Sequence, residues 1–120
     1  MNKAQTLYNF WAGFGIPAYD ETDVPPHAEF PYITYQVSDD DFGNTRIQNA
    51  NLWYRSTSWE EITQKSEEIA DYITRGGRML AYDGGAIWIQ RGNPWAQRMS
   101  DPSDKMVRLM ILTVLIEYLN

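Results

Sequence analysis

The stretch Lys105-Met106-Val107-Arg108-Leu109-Met110-Ile111-Leu112-Thr113-Val114-Leu115-Ile116-Glu117-Tyr118-Leu119 decides how this chain folds. It is apolar on almost every side, so its period alone does not separate helix from strand. Val107, Ile111, Thr113, Val114 and Ile116 favour extended backbone because branching at Cβ restricts χ1. Leu109, Met110, Leu112 and Leu115 would tolerate a helix. The branched residues carry the choice, and the unbroken apolarity predicts a strand buried on both faces. Such a strand exceeds the usual five or six residues and is expected to curve or to project past its neighbours. It is too short for the roughly 20 residues that cross a bilayer, and Arg108 and Glu117 interrupt it, so it reads as core.

Working backwards from this strand, residues 86–91 carry Ile87, Trp88 and Ile89 and predict a short strand after an Asp83-Gly84-Gly85 turn. Residues 92–104 between the two strands read as a long loop. Upstream, Ser58 with Glu61 fits a capping box opening a helix, and Trp59, Ile62, Ser66, Ile69, Ala70 and Ile73 form its buried stripe. Gly76-Gly77 should end it by supplying left-handed backbone. Residues 31–38 and 46–56 predict two strands of an antiparallel hairpin around the turn 39–44, with Ala50, Leu52 and Tyr54 on one face and Asn49, Asn51 and Trp53 on the other. Leu7, Phe10, Trp11 and Phe14 recur at helical spacing and predict a first helix over 3–14. The Pro-rich connector 16–30 predicts little regular structure. The resulting order, α-β-β-α-β-β, predicts one α+β domain over residues 1–120. Its sheet would be four-stranded and mainly antiparallel, with both helices on one face.

Composition narrows the chemistry. The 120 residues support one core, and 43% hydrophobic with 22% charged residues is globular composition. The absence of cysteine excludes disulfides, thiolate metal sites and cysteine nucleophiles, and a single histidine excludes a multi-histidine metal site. The formal charge of −6 argues against a basic nucleic-acid surface. That charge is local. Residues 1–45 hold Lys3 against Asp20, Glu21, Asp23, Glu29, Asp39, Asp40 and Asp41, whereas residues 46–120 hold nine basic and nine acidic residues. Acidic loops of this kind aid solubility, or form one negative surface that enlarges when copies assemble. No signal-peptide pattern opens the sequence, which leads to the expectation of a cytoplasmic protein.

No residue set specifies catalysis. His27 lacks a motif supplying an orienting partner or nucleophile. Asp39-Asp40-Asp41 does not have calcium-loop spacing and reads as a solvated turn. Glu60-Glu61 and Glu67-Glu68 read as an exposed helix face plus a cap, and neither glycine pair begins a phosphate-binding loop. The aromatic residues could stack on bases, but without a basic groove they read as core or interface. No cofactor or metal is expected. The segment 91–104 differs, because Trp95 and Met99 offer apolar anchors, Arg91 and Arg98 cations, and Asp101 and Asp104 anions. It either presents these residues to a partner or folds back and buries Trp95 in its own domain.

Asp83-Gly84-Gly85-Ala86-Ile87-Trp88-Ile89 and Arg91-Gly92-Asn93-Pro94-Trp95-Ala96-Gln97-Arg98-Met99-Ser100-Asp101, with Trp53-Tyr54-Arg55-Ser56-Thr57-Ser58-Trp59 before them, resemble small tail-terminator or tail-completion proteins of long-tailed phages and prophages of Gram-positive bacteria. The resemblance covers about residues 30–119. It implies the terminator fold, no enzymatic activity, and a homo-oligomeric ring, commonly a hexamer, that caps the tail tube and joins it to the head. It implies a virion protein assembled in the bacterial host cytoplasm, with the tail-tube protein and a head-completion or connector protein as partners and no sequence-specific DNA or membrane binding. A closed ring needs two different patches that meet head to tail. The expected contact residues are Arg91, Trp95, Gln97, Arg98, Met99, Asp101 and Asp104, together with a protruding final strand. Asp20, Glu21, Asp23, Asp39, Asp40 and Asp41 could line a lumen that repels DNA phosphates. The competing reading is a soluble acidic binding module that recognises a basic or peptide partner, which a groove beside residues 20–29 would favour.

Overall fold

The computed structural model describes residues 1–37 and 45–119. The elements are α1 (Lys3–Ala12), β1 (Ala18–Asp20), β2 (Tyr32–Tyr35), β3 (Thr45–Arg55), α2 (Glu60–Ile73), β4 (Arg78–Tyr82), β5 (Gly85–Ser100) and β6 (Val107–Leu119). They form one curled, half-barrel sheet of six strands in the order β1-β2-β3-β6-β5-β4. It is mixed, because β1 runs parallel to β2 while every other neighbouring pair is antiparallel.

This corrects the expected four-stranded sheet with its α-β-β-α-β-β order. β1 is three residues long and sits in the proline-rich connector, pairing Ala18 with Ile33 and Asp20 with Tyr35. β4, Arg78-Met79-Leu80-Ala81-Tyr82, contains no β-branched residue, so its strand character comes from pairing with β5 and not from propensity. The expected loop 92–104 is largely strand, because β5 continues through Ser100 beside β6.

β6 is central and does not protrude. It pairs with β3 from Val107 to Glu117 and with β5 from Arg108 to Leu119. Nor is it buried on both faces. Met110, Leu112, Val114, Ile116 and Tyr118 are buried, while Leu109, Ile111, Thr113, Leu115 and Glu117 on the opposite face are half-buried. The buried set joins Ala50, Leu52 and Tyr54 of β3, Ile87 and Ile89 of β5, and Ile33 and Tyr35 of β2 in one core cluster. Leu7, Phe10, Trp11 and Phe14, from α1 and the turn after it, and Ile62, Ile69 and Ile73 of α2 complete that cluster. Neither helix supplies residues to the opposite sheet face.

The helix ends depart from expectation in instructive ways. The capping box forms at α1, where Asn2 Oδ1 accepts from Gln5 N at 2.8 Å and Gln5 Oε1 accepts from Asn2 N at 3.1 Å. At α2, Ser58 Oγ accepts from Glu60 N at 3.0 Å, without the expected reciprocal bond from Glu61. The chain leaves α2 through Thr74 at φ 71°, whose hydroxyl donates to Gly77 O at 3.0 Å. Gly77 follows at φ 89°, whereas Gly76 has ordinary backbone. A Cβ on Gly77 would lie 2.8 Å from Ile89 O and 2.5 Å from Trp88 Nε1, so absence of a side chain lets this turn close on β5. Gly77→Ala should therefore cost at least about 2 kcal/mol in urea unfolding. Gly76→Ala, whose Cβ meets open space, should leave the midpoint nearly unchanged.

Candidate functional site

The residues expected to form one contact patch are divided by β5 between different environments. Arg91 pairs with Val114 in register, and Ala96 resumes pairing at Leu112. Residues 92–95 therefore stand opposite Thr113 alone, forming a bulge. Gly92 permits it, since a Cβ there would lie 2.5 Å from the Thr113 methyl. The bulge turns Trp95 onto α2, where its indole N–H donates to Ser66 O at 3.3 Å. Trp95 is thus half-buried in its own domain and packed against the core cluster.

Beyond the bulge, Arg98 and Arg108 lie over the Trp59 ring at 5.0 and 5.2 Å from its centroid. Gln97 and Met99 are exposed and lie on the sheet face opposite the helices. Asp101 and Asp104 build the β5–β6 connection. Asp101 accepts from the Ser103 hydroxyl and backbone N–H at 2.7 and 2.8 Å, and these bonds hold its carboxyl below the ordinary value. Asp104 accepts from Met106 N at 2.9 Å and pairs with Arg55, which lowers its pKa likewise. These two aspartates fix a turn.

The acidic candidates separate too. Asp20 ends β1 and accepts from Thr22 N and Oγ1 at 3.0 and 2.8 Å, while Glu21 and Asp23 are exposed in the following turn. Asp39, Asp40 and Asp41 lie outside the described residues. His27 is exposed in the connector. Among the described residues, no group of three or more His, Asp or Glu side chains is placed to hold a metal ion. No helix of the described residues is long and apolar enough to cross a membrane.

Two features escaped the sequence reading. The first is the sheet face opposite the helices. One cross-strand row there runs Tyr32–Trp53–Leu109–Met99, with Tyr32 stacked on Trp53 at 6.0 Å and the Trp53 N–H bonded to Thr34 Oγ1 at 2.9 Å. A second row pairs Ile47, 70% exposed, with Leu115. Along this face of the three central strands, from Thr45 to Trp53 and across β6 and β5, Glu117 is the one ionised side chain among the described residues. The only early sign was Trp53 alternating with Asn49 and Asn51. The second feature is a cleft of about 770 Å³ between α1, α2 and β4, away from the acidic connector.

No family model matches the chain, and no curated protein does. A solved structure whose name states no activity, ligand or partner is similar over 97% of this chain and 89% of its own. It is 13% identical, with a TM-score of 0.61. That likeness extends to the fold alone.

Two tests follow from this geometry. Trp95→Ala removes a half-buried ring and should destabilise the protein by about 2 kcal/mol, whereas Met99→Ala, at an exposed site, should change the urea midpoint little. Tyr54, buried on β3, has its pKa pushed up to about 12, first by desolvation and then by Glu61 and Glu68. Folding favours the neutral phenol, so its contribution is complete below about pH 10 and is lost as pH rises towards 12. Tyr54→Phe should flatten the alkaline limb of a stability–pH profile over that window.

Proposed function

We propose that this protein is a non-enzymatic structural component of a phage or prophage tail, acting as a tail terminator in a ring-shaped homo-oligomer. In this reading the ring, a hexamer, caps the tail tube and joins it to a head-completion or connector protein. The observation that carries it is the nearly uncharged sheet face bearing the Tyr32–Trp53–Leu109–Met99 row. Protein interfaces are depleted in charge at their centres and enriched in aromatic residues and methionine. Three strands of this length present roughly 600 Å² of face, of the same order as the roughly 800 Å² that each partner buries in a stable complex.

A ring needs a second, different patch. The free edge of β5 supplies a candidate, since β4 pairs with it only as far as Ile89 and residues 90–100 have β6 on one side alone. Arg91, Gln97 and Met99 lie along that stretch. Trp95, Asp101 and Asp104 serve the fold of the subunit, so the contact surface shifts from the expected patch to this face and edge. Glu21 and Asp23, exposed at the turn after β1, would face the lumen, where negative charge keeps DNA phosphates from sticking.

Native mass spectrometry and light scattering test the reading. The expected species has six times the chain mass. Ile111→Lys with Leu115→Lys should dissociate it while the circular dichroism spectrum stays unchanged. A strict monomer at high concentration that also fails to bind purified tail tubes would overturn the reading.

A further inference from the structure

We propose that the cleft between α1, α2 and β4 binds an extended peptide segment carrying apolar side chains and basic residues. The proposal is independent of the ring, because it uses neither the uncharged sheet face nor the edge of β5.

Three observations combine. First, the cleft wall is the sheet's own edge. β4 ends the strand order and pairs only with β5, and the consecutive residues Arg78, Met79, Leu80 and Ala81 all line the cleft. An edge strand presents alternate N–H and C=O groups outward, which an extended chain can pair with while its side chains alternate between floor and solvent. Second, the floor is apolar. Phe10, Phe14 and Tyr72 contact one another edge-on or tilted, with centroids 5.4 to 5.9 Å apart. Tyr72 and Met1 are large apolar side chains left about half exposed, and both line this cleft. Methionine adapts its shape to varied partners.

Third, the charge of the rim selects the occupant. Of the acidic residues of α2, Glu68 and Asp71 line the cleft. Lys65 donates to Phe14 O at 2.7 Å and to Glu68 at 3.0 Å. Asp71, at the cleft, is exposed and has no ion-pair partner among the described residues. Two cations belong to the lining, and both are engaged elsewhere: the Met1 ammonium pairs with Asp83 at 2.9 Å, and Arg78 Nε–H donates to Tyr72 O at 2.6 Å while its guanidinium stacks on the Tyr72 ring at 4.0 Å. Arg78 is turned to the end of α2 and leaves Asp71 unneutralised. A lysine or arginine of a bound strand would complete Asp71, and its apolar neighbours would cover Tyr72 and Met1.

The test is amide NMR on the full chain titrated with a capped hexapeptide of alternating lysine and leucine. Binding should shift the Met79, Leu80 and Ala81 amides most. Alternating glutamate and leucine should bind at least tenfold more weakly, as should the lysine peptide methylated at alternate backbone nitrogens. Glu68→Lys with Asp71→Lys should also weaken the lysine peptide about tenfold. If that variant fails to fold, the peptide comparisons on the natural chain still decide. Equal binding of the acidic or methylated peptide, no binding, or shifts centred on Ile111 or Met99 would each overturn the proposal. So would Met79–Ala81 shifts that depend on protein concentration without peptide, since the occupant would then be a second copy.

Discussion

The backbone pairing of β6 on both sides is the constraint on which the other elements depend. A strand flanked along almost its whole length satisfies its N–H and C=O groups through β3 and β5, and in doing so fixes the register of both. Once that register is set, alternation divides each central strand into a helix-facing and an opposite set. Leu52 lies beside Met110 and Ile89 beside Ile116, and the two helices close over that set. The opposite set keeps Ile47, Ile111 and Leu115 outside the core with no helix to cover them. The core and the uncovered face are therefore two products of one pairing pattern.

Elements driven by their own side chains were legible in the sequence. The branched residues of β6, the Ala50–Leu52–Tyr54 alternation of β3 and the Ile62–Ile69–Ile73 stripe of α2 each declare their conformation locally. β4 does not, because its five residues have weak strand preference and pair only through contact with β5. β1 is hidden among prolines for the same reason. The far half of β5 was misread because Gly92, Asn93 and Pro94 are turn residues locally, and a bulge makes the same demands as a loop. Trp95 was recognisable as an apolar anchor and Arg98 as a cation, but their direction depends on contact with Ser66 and Trp59, far away in sequence. The cleft could not be read at all, since its walls come from three segments brought together only by folding.

The surfaces divide by chemistry. The face bearing Trp53 and Leu109 is aromatic and nearly without charge, which suits a large partner of complementary shape. The cleft at β4 has an apolar floor, the exposed carboxylate of Asp71 and an edge strand for a wall, which suits a single extended segment. They lie on different parts of the sheet, so occupation of one leaves the other open. On the two proposals together, the face would serve assembly and the cleft would hold an extended basic segment of a different protein.

The bulge at residues 92–95 also controls phase. Before it, the odd-numbered residues Ile87 and Ile89 face the helices; after it, the even-numbered Ala96 and Arg98 do. Four residues opposite one reverse the parity of the strand. Losing or gaining one residue there would move Met99 to the helix side and Arg98 to the outer face, whereas a change of two would preserve both surfaces. The segment between Gly92 and Trp95 thus acts as a parity switch, and its length can vary only in even steps if the helix-facing and outer surfaces are to keep their chemistry.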